Sequence, residues 1–229
     1  MANAGFNAAT DIFSMGANWK VQSNSMNPSG SVAECPNSLN DVTHRDAYGV
    51  RIAPSAEYTL IADVEELPDL GSIVTIDTKK VMITQISIKT AKGAAPTASV
   101  SGVEVESGAT AKRTYSCGEI ELSARHRAQD ILGFLGSTTP TTLTESTFTF
   151  SVQPSLAEPQ GTVYNSDCGD GRVVAQFTHT SGTGAAISAP TVSGTAQVLS
   201  EPVSKTSPEN DYVTVSYAVT DSLTGEDAS

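Results

Sequence analysis

Residues 80–106 read KVMITQISIKTAKGAAPTASVSGVEVE, two β-branched runs on either side of Gly93-Ala94-Ala95-Pro96-Thr97. Valine, isoleucine and threonine favour extended backbone, and glycine and proline punctuate it, so the stretch reads as a long β-hairpin. In the outgoing arm Val81 and Ile83 share one phase of the alternation, whereas Ile86 and Ile88 share the other. In the return arm Val100 holds one phase, and Val103 and Val105 hold the other. A phase change on both arms predicts a bulge or a strand crossing between two sheets, with Gly102 supplying backbone freedom. Base and tip are then buried on opposite faces.

The same ingredients recur loosely over residues 172–198, RVVAQFTHTSGTGAAISAPTVSGTAQV, with a small-residue tip, Ala-Pro-Thr and a Ser-Gly in the return arm. This leaves open a duplicated half or one turn chemistry used twice. Around the two stretches, Tyr58, Leu60, Ala62 and Val64 alternate with polar neighbours. Phe148, Phe150 and Val152 do the same, as do Val213, Val215, Tyr217 and Val219. Each run predicts a strand with one buried and one wet face. Only residues 123–135 favour a helix: Ala124, Ala128, Ile131, Leu132 and Leu135 fall at helical spacing, Ser123 can cap the start and Gly136 can close the end. Residues 1–48 are rich in Asn, Ser, Ala and Gly without sustained periodicity, and read as an irregular N-terminal arm pinned by Phe6, Ile12, Phe13 and Trp19. Trp19 either anchors that arm in a groove or packs in a core. The expected fold class is mainly β, a β-sandwich or barrel with long hairpins and one flanking α-helix. Residues 49–229 form its all-β domain, with two related halves, 49–136 and 145–220, as an open alternative.

The chain of 229 residues carries 25 acidic and 13 basic side chains, a formal net charge of −12. A surface that grips phosphates through Lys and Arg is therefore disfavoured. No apolar run approaches the length needed to cross a bilayer, so no membrane partner is expected. The N-terminal MANAGFNAATDIFSMGANWK has neither a basic n-region nor a continuous apolar h-region, which predicts folding in a cytosol. Cys35, Cys117 and Cys168 are odd in number and far apart, which predicts buried free thiols.

Motifs for chemistry are sparse. His44-Arg45-Asp46 spells the start of a kinase catalytic loop, but none of the companion motifs is present, and the pair Arg45-Asp46 reads as a loop salt bridge. Residues 165–171, NSDCGDG, offer oxygen ligands yet fail the Ca²⁺-loop pattern and read better as a turn built on Asp170-Gly171. The histidines His44, His126 and His179 stand in unrelated contexts, so no catalytic constellation, cofactor or metal site is expected. Arg125-His126-Arg127 concentrates positive charge on an acidic chain, and reads equally as a solvated face or as a contact to an acidic neighbour.

Through Ile86, Ser87, Ile88, Thr90, Gly93, Pro96, Thr97, Ser99, Val100, Ser101 and Gly102, residues 83–106 resemble the central hairpin of bacteriophage tail-tube (major tail) proteins. The resemblance implies a virion structural protein that is not an enzyme. It also implies a sandwich or barrel with a flanking helix, made in the host cytoplasm and assembled into rings, usually hexameric, that stack into a tube for DNA passage. The assembly residues expected on this basis are Trp19, Ile86, Ile88, Gly93, Pro96, Thr97, Val100, Arg125 and Arg127. Acidic residues lining the lumen would repel transiting DNA, which then passes without specific binding. Its partners would be copies of itself and other virion proteins. A capsid decoration or head-tail joining protein, or a β-sandwich adhesin or carbohydrate-binding module, are the alternatives. The scarcity of stacking aromatics weighs against the last.

Overall fold

The computed structural model describes residues 10–36, 42–63, 67–117, 122, 126–136, 141–155, 167–182, 197–198, 203–207 and 212–227. The hairpin is present as β4 (Lys79–Ala91) and β5 (Ala94–Val105), turning at Gly93 with a φ of +86°. The phase change is resolved within it by a bulge at Thr84. Ile83 pairs with Gly102 and Gln85 with Ser101, so Thr84 is the extra residue. Ile86 pairs with Val100, and Val100 and Gly102 lie two apart on one face, so Ile83 and Ile86 share that face. On β4 the inserted residue cancels the shift, and Val81, Ile83, Ile86 and Ile88 form one fully buried row. On β5 the phase change stands, and at the base Met82 and Val105 are buried on the face opposite Val100. Gly102 is required by close approach: a Cβ there would lie 2.6 Å from both the Met82 carbonyl oxygen and Val81 Cγ1.

The remaining strands are β1 (Trp19–Pro36), β2 (Val42–Leu60), β3 (Ile73–Ile76), β6 (Arg113–Tyr115), β7 (Leu143–Ser155), β8 (Asp167–Gly182), β9 (Gln197–Val198), β10 (Val203–Ser207), β11 (Tyr212–Ser222) and β12 (Gly225–Asp227). Ten of the strands form one antiparallel sheet, ordered β1-β2-β5-β4-β7-β8-β11-β10, with β3 added to β4 and β9 to β11; β6 and β12 pair separately. The main path is four hairpins laid side by side, β1/β2, β4/β5, β7/β8 and β10/β11. Because β4 pairs with β7, one sheet runs through both stretches 49–136 and 145–220. The echo at residues 172–198 does not repeat the first hairpin's pairing. β8 and β9 both pair with Val219 and Thr220 of β11, hence from opposite sides, and residues 183–196 lie outside the described set.

Period-two alternation sorts the sheet into two faces. One cross-strand row runs Tyr58, Ala98, Ile88, Phe148, Ala175, Val219, and every member is buried. The neighbouring row on the other face runs Glu57, Ser99, Ser87, Thr149, Val174, Thr220. Burial of the first face supplies the main driving force for folding. Two non-strand segments pack on it. Residues 10–18 bring Ile12, Phe13 and Met15, and the Asp11 carboxylate fixes them by accepting hydrogen bonds from Tyr58 Oη (2.9 Å), Phe13 N (3.3 Å) and Gly16 N (3.0 Å). Residues 126–136 bring Ala128 and Phe134, both buried.

Residues 126–136 are a strap of tight turns, and no helix occurs among the described residues; Ser123 and Arg125 of the expected helix lie outside them. His126 (φ +53°) and Gly133 (φ +67°) leave the right-handed helical region. Backbone groups that a helix would pair internally find side chains instead. Gln129 N donates to Thr90 Oγ1 (2.8 Å), and the Asp130 carboxylate accepts from Phe134 N (3.1 Å) and Leu135 N (2.6 Å). Of the apolar residues that suggested an amphipathic helix, Ala128 is buried, Ile131, Leu132 and Leu135 are partly buried against the core from a different backbone, and Ala124 lies outside the described residues.

Residues 19–36 and 42–48, expected to be irregular, are strand. Their pattern is obscured by three register shifts between β1 and β2: at Val21/Ser23 the extra residue, Gln22, is in β1, and at Ser29/Ser31 and Cys35/Pro36 it is in β2. Ile12, Phe13 and Trp19 are buried, and Phe6 lies outside the described residues.

Candidate functional site

The residues singled out for assembly do not converge on one surface. Ile86, Ile88 and Val100 are fully buried in the centre of the sheet, and Pro96 is buried at its end. Gly93 and Thr97 are exposed near the hairpin tip. That tip is tied to its own molecule: Gly93 N donates to the His126 carbonyl (2.9 Å) and Lys92 N to that of Thr144 (2.9 Å). The tether brings Gly93 beside the strap that carries exposed Arg127, while Arg125 lies outside the described residues. Trp19 opens the edge strand β1 with its ring buried, and its indole N–H has no acceptor among the described residues.

Three features stand out instead, all invisible to motif reading. The first is the pair of sheet edges, β1 and β10, which have no outer neighbour among the described residues. Antiparallel neighbours alternate in direction along the eight-strand path, so the two edges run oppositely.

The second is the solvent face, spelled by hydroxyls that bond sideways across strands. The pairs are Ser25 with Ser55 (2.9 Å), Ser87 with Thr149 (3.2 Å), Thr178 with Ser216 (3.2 Å) and Thr180 with Thr214 (3.3 Å). Lys89 and Glu145 neutralise one another there at 2.7 Å. Among the described residues the face offers neither a basic patch nor an aromatic platform.

The third is a buried polar cluster at one end of the apolar face. His179 is 3% exposed, with Nε2 2.7 Å from Tyr217 Oη and Nδ1 3.1 Å from Thr142 Oγ1. Burial pushes the His179 imidazole below its ordinary range. Burial, and secondarily the Asp130 carboxylate, push the Tyr217 phenol up; desolvation also raises Asp130, against the backbone donors that lower it. Beside this cluster, Thr90 Oγ1 and Ser146 Oγ sit 2.8 Å apart in full burial, and Ser146 Oγ donates to the Gln129 carbonyl (2.6 Å). These two hydroxyls clamp both backbone groups of Gln129 in the strap.

The weaker motifs resolve as structure. His44, Arg45 and Asp46 lie within β2, opposite Cys35, Glu34 and Ala33. Asp170 and Gly171, expected to form a turn, form a bulge inside β8 opposite Val152, with Asp170 at φ +52° and no room for a Cβ at Gly171 against the Tyr115 ring. No group of three metal-ligating side chains occurs among the described residues. Cys117 and Cys168 are buried free thiols, as expected. Burial first, and Asp69 second, push the Cys117 thiol up to about 12, and burial also raises Cys168, so neither is a thiolate nucleophile near neutrality. Arg113, Tyr115, Asp170, Ser222 and Asp227 line a shallow polar depression whose exposed Arg113 and Asp227 stand 3.7 Å apart. Comparison with protein-family models and with curated proteins returns no match.

Proposed function

We propose that this chain is a virion structural subunit that assembles with copies of itself into rings, as a tail-tube protein does. The observation that carries the reading is the single antiparallel path with two open, oppositely directed edges. A rotated copy can set its β1 against β10 of the first with antiparallel polarity and the same face inward, and can repeat without reversal. On this reading the sheet closes as part of a sandwich or barrel around its buried face. The rings, hexameric by resemblance, stack with other virion proteins into a conduit for DNA. Net charge of −12 supports a wall that repels phosphate, and two thiols held protonated by burial support a role without catalysis.

The test is a double variant, Ser25→Cys with Lys205→Cys, oxidised at assembling concentration and compared with each single variant. The expected result is a ladder of disulfide-linked oligomers that ends at a closed ring, with rings in negative-stain images. A monomer by light scattering, with no double-variant ladder, overturns the proposal.

A further inference from the structure

The buried polar cluster has no part in edge pairing, and its geometry points to a switch. We propose that His179 is an acid-operated latch beneath the strap of residues 126–136, whose protonation releases the strap and uncovers the aromatic patch around Phe148 and Phe177.

A neutral imidazole has one donor and one acceptor nitrogen. Nε2 lies 2.7 Å from Tyr217 Oη and Nδ1 3.1 Å from Thr142 Oγ1. We assign the tautomer in which Tyr217 Oη donates to Nε2 and Nδ1–H donates to Thr142 Oγ1, because it satisfies both ring nitrogens and the phenol. Protonation makes Nε2 a donor, so the Tyr217 hydroxyl must turn its proton elsewhere. Among the described residues it has no second partner. The imidazolium has no carboxylate either, since none of the ion pairs among the described residues includes it. Among the described residues, the ionisable groups that bear on it are Tyr217 from β11 and, beyond Tyr217, Asp130 from the strap. Its β7 neighbour is the uncharged Leu143, and next along its own face of β8 stands Phe177. Charging His179 therefore places a cation and an unpaired hydroxyl in an apolar wall. The Tyr217 ring stacked on it at 5.4 Å offsets only part of that cost.

The strap feels this through packing. Rings form an unbroken series from His179 to Tyr217 (5.4 Å), Phe177 (5.6 Å), Phe148 (5.5 Å) and Phe134 of the strap (6.3 Å). Asp130, which folds the strap's turn, is the charge that reaches Tyr217. The direction follows from linkage. The folded state holds His179 neutral to lower pH than the open state does, so the closed strap is fully favoured above the open-state value near about 6.5 and loses that advantage as pH falls through it.

The experiment is hydrogen exchange of the peptide spanning residues 126–136, corrected for intrinsic rates, between about pH 7.5 and about pH 5. The expected result is opening that rises as pH falls below the open-state value, by at most about tenfold per pH unit, and a flat profile in His179→Gln. Equal protection across the range in the native chain, or an acid response retained by His179→Gln, overturns the latch. If His179→Gln does not fold, NMR titration of the native chain, with His44→Gln and His126→Gln used for assignment, decides: the strap must open where His179 charges, and opening while it stays neutral overturns the proposal. Both readouts are independent of whether rings form.

Discussion

Gly102 is the position where the hairpin tolerates least. A methyl there meets a backbone carbonyl that cannot move without breaking the bulge. Gly102→Ala is expected to destabilise the chain by about 1–3 kcal/mol, measured by urea denaturation. Ser99, three residues away and exposed on the hydroxyl face, is the control, and Ser99→Ala should change little. The sequence pointed to Gly102 correctly because glycine inside a β-branched run has few other reasons to be there. It did not show that Thr84 restores the phase, because a bulge is a property of two paired strands and one strand's spelling cannot contain it. The buried cysteines give a second expectation at this scale. Cys117 and Cys168 should resist alkylation at mildly alkaline pH in the folded chain and react promptly in denaturant, read by mass spectrometry of the labelled peptides.

At the scale of elements, the strap is held by two hydroxyls that a propensity scale treats as ordinary strand residues. Thr90→Val removes the acceptor of Gln129 N and keeps the shape, so about 1–3 kcal/mol of stability should be lost. Ser146→Ala frees the Gln129 carbonyl. Since the two hydroxyls also bond each other, the double variant should cost less than the sum of the singles, and a double-mutant cycle measures that coupling. The stretch 146–152 of β7 and the strand β11 were legible because their alternation runs unbroken there; the extra residue Thr144 at the start of β7 was not. The strap was misread as a helix because Ala128, Ile131, Leu132 and Leu135 satisfy helical spacing as well as they satisfy successive turns. What excludes the helix is Thr90 and Ser146, distant in sequence and silent in its pattern. β1 and the start of β2 were missed for the complementary reason, the alternation being broken by an extra residue once in β1 and twice in β2.

For the whole molecule, charge and topology pull in opposite directions. Each copy carries −12, so like-charge repulsion opposes association while the two open edges favour it. Association should strengthen as ionic strength rises from about 0.01 M to about 0.15 M, where the screening length shrinks from about 30 Å to about 8 Å, followed by light scattering. Weakening over that range would mean that attraction between charges, and not edge pairing, holds the copies together. The edges on which the proposed assembly rests were not legible beforehand: the hairpin was in the spelling, but which strands end the sheet depends on the order of all the others.

The arrangement of four neighbouring hairpins has a kinetic side. Each hairpin lies beside the one before it in the chain, so the sheet can be laid down in the order of synthesis, every new pair docking on the margin left by the last. β1 leaves the ribosome before β10 and β11 do. An emerging chain thus shows β1 together with a temporary margin, β2, β4 or β8, in place of β10. Until the final pair is in place, two growing copies on nearby ribosomes lack the second margin through which they would join.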